Sequence, residues 1–370
     1  MAVLADFSKA FDTVSYGTVL RKLHRHGFSK SFLRWITNYL TGRKQFVQID
    51  DRTSRQIDVT FGVPQGSILG PVLFNLYVND LSDNLGPVSS HQYADDTTIY
   101  THGKPDDIST CEKRLQTAID NLTNWSCKCN LVLNSKKTKV MLFSTPQLSR
   151  VHKLDDCCLQ LTANGKELER INSTRLLGTE IQQDLSWTKD INSKISSCYN
   201  SLSVIKKLKH LAPFHVRKQL AESLVLSKMD YNDVVCHPLP VYLTKRLQRV
   251  QLATAGFVLS RYAEMSDILK LGWLPIKERK EFSLTKLTYK ALYCDNWPKY
   301  LSVEQYQPPR LLRSSNEVKL VIPLERDTLQ DSAAKAFNNL PNNIRTCTIY
   351  KQYLQKAKDH FMAEATKRHL

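Results

Sequence analysis

Apolar residues recur along the 370-residue chain with two spacings, and the exchange of one for the other divides it into a strand-bearing part and a helical part. The opening run Ala2-Val3-Leu4-Ala5-Asp6-Phe7 is apolar except for Asp6 and predicts a buried strand with one carboxylate near its end. Thr18, Val19, Leu20 and Leu23 predict a helix, and Phe32, Leu33, Ile36 and Leu40 a second that stops at Gly42. Residues 46–49 and 57–60 read as strands joined by a polar loop. The glycines and prolines of 62–71 make a structured turn into a helix through Leu73, Leu76, Tyr77 and Leu81. In 92–100, β-branched and aromatic residues flank Asp95 and Asp96, which predicts a tight hairpin with both carboxylates at its tip. Ile108, Cys111, Leu115, Ala118, Ile119 and Leu122 lie on one face of a helix over about 106–125. After the polar stretch 130–138, a strand at 140–143 and short strands at 157–161, 167–171 and 175–181 carry the β-rich part to Asp184-Leu185-Ser186-Trp187.

From there to about residue 298 the spacing is helical, and Pro213, Pro238, Pro240 and Pro275 mark boundaries between helices. Residues 302–326 are irregular and Pro-containing, and read as a linker before a helical tail around 333–337 and 350–361. The fold class is therefore expected to be α+β in two or three domains, with no internal repeat. Lys and Arg outnumber Asp and Glu by 52 to 35, and this +17 excess points to an anionic polymer as partner. Runs such as Lys206-Lys207-Leu208-Lys209-His210 and Lys245-Arg246-Leu247-Gln248-Arg249 are ordinary wet helix faces one by one; their density favours a phosphate-tracking surface. Nucleic acid is expected rather than a membrane, because no amphipathic anchor or lipidation signal is visible. The apolar-rich stretch 68–81 is interrupted by Pro71, Asn75, Asn79 and Asp80 and is too short to span a bilayer. No secretory signal precedes Asp6, so a soluble chain is expected. Nine cysteines without a Cys-x-x-Cys pair argue against zinc, and their odd number fits reduced thiols in cytosol or nucleus.

Five features bear on chemistry. A buried carboxylate at Asp6 is costly unless a hydrogen bond or a metal compensates it. Asp12, at the start of a helical pattern, reads as a helix cap. The turn Gly62-Val63-Pro64-Gln65-Gly66 is either a strand-to-helix connection or a site where helix-start amides bind phosphate, and the pattern leaves both open. The Asp95-Asp96 pair proves little alone, since Asp50-Asp51, Asp106-Asp107 and Asp155-Asp156 also occur and Asp favours turns. Lys136 and Lys137 are a solvated turn unless that turn faces the Asp cluster.

In order, the strand-borne Asp6, the Pro64-Gln65-Gly66 turn and Tyr93-Ala94-Asp95-Asp96 resemble the palm of reverse transcriptases. The fuller wording, Asp6-Phe7-Ser8-Lys9-Ala10-Phe11-Asp12-Thr13-Val14, then 62–81, then 93–100, is similar to non-LTR retrotransposons of the jockey and chicken-repeat type. Asn134-Ser135-Lys136-Lys137-Thr138 is similar to the family's fourth palm motif, and Leu176-Leu177-Gly178 with Trp187 to its primer-contacting hairpin. Leu271-Gly272-Trp273-Leu274-Pro275 and Phe337-Asn338-Asn339-Leu340-Pro341 resemble the downstream part of such elements. The resemblance implies a palm, an antiparallel sheet packed by helices, over 1–184. A basic, all-α, thumb-like region follows over 185–300, then a linker and helical tail over 301–370.

It also implies an RNA-directed DNA polymerase that copies an RNA template from a DNA primer with deoxynucleoside triphosphates, using two Mg²⁺ or Mn²⁺ ions. Asp6, Asp95 and Asp96 would be catalytic and, with the backbone of Phe7, metal-binding. Asp96 is expected to be the weaker participant, because neighbouring side chains on a strand diverge. Phe11 would exclude a 2′-hydroxyl, and Gln65 and Gly66 would position the nucleotide. Lys137, or Lys136 in another register, would meet the leaving pyrophosphate. Tyr93, Leu177 and Gly178 are expected against primer and template. The chain is expected in nucleus or cytoplasm, and the resemblance implies the nucleus. Its fingers and endonuclease lie upstream of a motif that here begins at Asp6, so an impaired polymerase, or a non-catalytic basic nucleic-acid-binding remnant, is expected.

Overall fold

Ala2–Ala5 is the middle strand of a five-stranded sheet in the computed structural model, which describes residues 1–307, 317–326 and 328–369. It pairs antiparallel with Asp96–Tyr100 on one side and with Lys139–Met141 on the other. Ser89–Tyr93 closes one edge as the hairpin partner of Asp96–Tyr100. Glu169–Arg170 closes the other edge, parallel to Lys139–Met141. The sheet is therefore mixed, where an antiparallel one is expected. Glu169–Arg170 is reached through a long connection rather than a hairpin, and only such a connection permits the parallel sense.

Side chains on the central strands explain its apolar sequence. Val3, Ile99 and Val140 face one another across three strands at 0%, 0% and 1% exposure, in one core with Leu115, Ile119 and Leu122 of helix Ile108–Lys128. Ala5 shares the face of Val3, and on the opposite face Ala2 is buried and Leu4 half-buried, so the strand is covered on both faces and carries no alternation. Helices Tyr16–Arg25, Lys30–Leu40 and Leu69–Val78 pack on the same core, the second capped by Ser29, whose Oγ accepts the Phe32 amide at 3.3 Å.

Several elements differ from their sequence pattern. The predicted strands at 46–49 and 57–60 are two small exposed pairings, Lys44–Gln45 with Ile57–Asp58 and Gln48–Ile49 with Arg52–Thr53. Their apolar side chains, Phe46, Val47, Ile49 and Ile57, are left exposed. No strand forms at 157–161; short pairings at Thr162–Ala163 and Lys166–Glu167 stand nearby, and a Thr145-capped helix, Pro146–His152, precedes them.

Beyond residue 187 the described chain is helical, including Thr188–Lys206, Val241–Leu259, Ile276–Tyr293, Leu329–Asn338 and Tyr350–His369. Pro213, Pro240 and Pro275 each stand at the N-cap of a helix, as the boundary pattern predicts. In the predicted linker, Gln305 bridges Leu320 while 308–316 lie outside the described residues. Two compact units result: Met1–Leu176 with Ile181–Ser186, and Leu177–Glu180 with the chain from Trp187 onward. The second has two apolar clusters, one around Leu202, Leu243 and Val250, the other around Phe337, Tyr353 and Ala357. Among the described residues no helix is long and apolar enough to cross a membrane.

One buried cation ties three helices of the first unit together. Lys22 Nζ donates to the Tyr77 carbonyl at 2.6 Å and to Asp80 Oδ1 at 2.5 Å, 5.1 Å from the centre of the Trp125 ring. Trp125 Nε1 donates to the same Asp80 oxygen at 3.1 Å. Asp80→Ala strands the ammonium in the core and is expected to cost about 2–4 kcal/mol in urea unfolding, more than Lys22→Met, which removes the charge and keeps the volume.

Candidate active site

Asp6 sits where the first strand changes partners. Ala2–Ala5 belongs to the main sheet, whereas Phe7–Ser8 pairs with Val132–Leu133, so the Asp6 peptide falls between two ladders. Buried peptide groups need partners. Here the segment 134–138 provides them: Asp6 N donates to Thr138 Oγ1 at 3.3 Å and the Asp6 carbonyl accepts from Asn134 N at 2.8 Å. Asn134 Oδ1 in turn accepts the amides of Lys136 and Lys137 at 3.2 and 3.3 Å, a local turn that Asn favours. This fixes the register of the two lysines. Lys137 Nζ stands 3.9 Å from Asp6 Oδ2, at 71% side-chain exposure, so the pair adds little stability and leaves the ammonium accessible.

The other two carboxylates arrive by strand pairing. Tyr93 pairs with Asp96, so the turn itself is Ala94-Asp95, with Ala94 in the left-handed region at φ 56°. Asp96 begins the strand rather than sharing the tip. That strand runs against the first with Ala5 opposite Thr97, and one step further along the same register lie Asp6 and Asp96. Directly opposed residues share a face with Cβ atoms about 4.5–5.5 Å apart.

Their electrostatics agree with this proximity. Partial burial of its carboxyl holds Asp96 above the ordinary Asp value, and the Asp95 and Asp6 charges push it the same way, although Asp96 as a whole residue is exposed. Asp6 Oδ2 is shielded from water yet accepts no hydrogen bond. An orphaned carboxylate oxygen beside two more carboxylates is a hard oxygen donor set suited to Mg²⁺ or Mn²⁺. Among the described residues no group of three or more His, Cys, Asp or Glu is placed so that it could hold a metal ion by itself. A divalent ion here would need further oxygen donors from water or substrate phosphate.

A second segment lies along Phe11 to Val14. Gly62 N donates to Val14 O at 2.8 Å and Val63 N to Phe11 O at 2.9 Å. Gly62 has φ 89°, and a Cβ there would stand 2.9 Å from the Asp12 backbone, so only glycine permits the approach. The Phe11 ring stacks on Phe74 with centroids 4.2 Å apart. Gln65, exposed, donates from Nε2 to Asp12 Oδ1 at 2.8 Å. Asp12 is therefore in a short 3₁₀ turn and holds Gln65; it is not the predicted helix cap, a position taken by Ser15. Gly66, at φ 79°, has open space around it. The helix start after it is partly closed to an anion, because the Gly70 amide already donates to Ser67 Oγ at 3.0 Å.

The first unit thus holds Asp6, Phe7, Phe11, Gln65, Gly66, Tyr93, Asp95, Asp96 and Lys137. Leu177 and Gly178 belong to the second. Both have positive φ, the Leu177 carbonyl accepts from Tyr231 Oη at 2.8 Å, and a Cβ on Gly178 would meet that tyrosine ring at 3.0 Å. Sequence reasoning missed the positioning roles of Asn134, Thr138 and Asp12. For Asn134 and Thr138 a signal was present, since Asn followed by amides two and three residues later is a turn signature.

Residues 1–181 match the family described as reverse transcriptase (RNA-dependent DNA polymerase). The RNA-directed DNA polymerase from mobile element jockey of Drosophila funebris is 28% identical over 195 residues, 51% of this chain and 20% of that protein. The Pol polyprotein from the type-1 retrotransposable element R2 of Popillia japonica is 35% identical over 83 residues, 22% of this chain and 14% of that protein. The chain spans about a fifth of the length of the jockey relatives. A solved telomerase from Candida albicans, in complex with a fragment of telomeric RNA, is similar at 11% identity and TM-score 0.36, over 76% of this chain and 48% of that one.

A carboxyl with a raised folded pKa binds its proton more tightly when folded, so Asp96 favours folding at low pH and opposes it as pH rises through the carboxylate range. Asp96→Asn is accordingly expected to unfold at higher urea than the wild type at pH 7. The gap should close below about pH 4. A wild type more stable than the variant at pH 7 would contradict the crowding.

Proposed function

Residues 1–181 belong to the reverse transcriptase family, of the kind found in non-LTR retrotransposons, and we propose on that premise that the chain extends a DNA primer along an RNA template. The observation that carries this reading is the pairing of Ala5 with Thr97, which brings the adjoining Asp6 and Asp96 to the same end of the ladder beside Asp95, with the Asp6 Oδ2 acceptor unsatisfied. The family uses divalent ions. Two of them, Mg²⁺ or Mn²⁺, would lie on Asp6, Asp95, Asp96 and the Phe7 carbonyl, and when bound they supply an activated primer hydroxyl and a neutralised triphosphate.

The remaining roles fall to side chains of the chain itself. Lys137, exposed beside Asp6, is suited to meet the triphosphate and stabilise charge on the departing pyrophosphate. The Phe11 ring, braced by Phe74, forms a rigid wall that favours a sugar without a 2′-hydroxyl. Gln65, oriented by Asp12, supports the nucleotide against the template, and Gly66 leaves its backbone open to approach. Tyr93, exposed next to the turn, is a surface for the primer end, as are Leu177 and Gly178 in the second unit. The 185–300 region is read as thumb-like, its lysines and arginines holding duplex phosphates, which supply affinity and register rather than sequence reading.

Primer extension on an RNA template with Mg²⁺ or Mn²⁺ tests the reading. Asp95→Asn is expected to lower the rate roughly a thousandfold or more, and Lys137→Ala by about 10–100-fold. Equal extension by wild type and Asp95→Asn would refute the assignment. Equal silence, together with salt-sensitive duplex binding that Asp95→Asn leaves unchanged, would instead make the chain a basic binding module.

A further inference from the structure

The helical unit contains a cavity of about 660 Å³, enough for a nucleotide-sized ligand. Two of its acidic residues are already engaged. Glu222 Oε1 accepts from Trp273 Nε1 at 2.7 Å, and the Arg279 guanidinium holds both oxygens of Asp230. Its lysines are not engaged in the same way. Lys290 and Lys358, from helices Ile276–Tyr293 and Tyr350–His369, are exposed at the rim and form no ion pair with a described residue. Lys286, one turn before Lys290, lies 4.9 Å from the centre of the Phe282 ring, which also lines the cavity.

The third acid is different. Asp233 is 6% exposed and lines the same cavity, and its Oδ2 is shielded from water without accepting a hydrogen bond. Lys280 Nζ, a buried cation, donates to the Asp233 backbone carbonyl at 2.9 Å. Burial raises the Asp233 carboxyl above its ordinary value, against the opposing pull of Ser283 and Lys280. A buried acceptor without a donor is costly, and a ligand that brings one offsets the cost.

The cavity therefore asks for an anion at the lysine rim and a hydrogen-bond donor at Asp233, with a flat apolar group against Trp273 and Phe282. A nucleotide carries all three, and a carboxylate is the usual reader of a ribose hydroxyl. We propose that this cavity binds a ribonucleoside phosphate, with the phosphate at Lys290 and Lys358 and the sugar 2′-hydroxyl donating to the Asp233 carboxylate. The same chemistry is offered by a free nucleotide and by an unpaired residue of an RNA strand. The site is separate from the carboxylate cluster and does not depend on its assignment.

Equilibrium binding of the full chain, in EDTA so that no metal-held nucleotide contributes, is measured with 5′-AMP, 5′-dAMP, an eight-nucleotide oligo(A) RNA and the DNA of the same sequence. The ribose ligands are expected to bind at least about tenfold more tightly than their deoxy counterparts. AMP binding identifies a free nucleotide as sufficient, and binding of the RNA alone identifies a strand. Lys290→Glu with Lys358→Glu, both at the surface and with the fold checked by circular dichroism, should abolish the preferred binding. Asp233→Asn should remove most of the ribose preference. Equal affinity for ribose and deoxy ligands overturns the proposal, as does binding of neither kind or binding indifferent to the paired lysine substitutions.

Discussion

The pairing of Ala2–Ala5 with Asp96–Tyr100 is the constraint on which the candidate site depends. With Ala5 opposite Thr97, Asp6 and Asp96 meet at the end of the ladder; a slip of one residue would send every side chain of one strand to the opposite face and separate them. What prevents the slip is apolar. Val3, Ile99 and Val140 stack across three strands in the fully buried core, and a slip of one residue would take them out of line with one another. Packing therefore holds together carboxylates that repel one another, and the Asp96 carboxyl is raised first by its partial burial and then by the Asp95 and Asp6 charges.

A second consequence follows from the break in the ladder at Asp6. Because the chain leaves one strand partner for another there, its peptide has to be satisfied from outside the sheet, and Asn134 and Thr138 do so. The same short segment carries Lys137 to the carboxylate. One local turn thus solves a backbone problem and delivers a cation. The glycine at 62 acts similarly, since its close approach to Asp12 aligns the segment that brings Gln65 within reach of the Asp12 carboxylate.

Much of this was legible in the sequence, for identifiable reasons. The buried first strand, the hairpin around Asp95 and the long helix Ile108–Lys128 follow from strong, regular patterns. The reverse transcriptase likeness rests on motif wording that extends past the carboxylates. Strands fall within 46–49 and 57–60 but are shorter than expected, and the one expected at 157–161 does not form, because how far a short β-prone run pairs depends on distant partners that local sequence does not reveal. Asp12 was misread as a cap because its partner, Gln65, lies 53 residues away. The Asp6–Asp96 opposition depends on register between distant strands and is invisible to any local pattern. In the helical unit, Asp233 gave no signal in the sequence, since its burial depends on how several helices pack.

The central claim is that Asp6 joins Asp95 and Asp96 in one ion-holding cluster. Mn²⁺ binding in the presence of a deoxynucleoside triphosphate, followed by electron paramagnetic resonance, tests it without requiring turnover. With the fold of the variant verified by circular dichroism, Asp6→Asn should weaken protein-dependent Mn²⁺ binding by about tenfold or more relative to wild type. Identical binding by the two proteins would contradict the account.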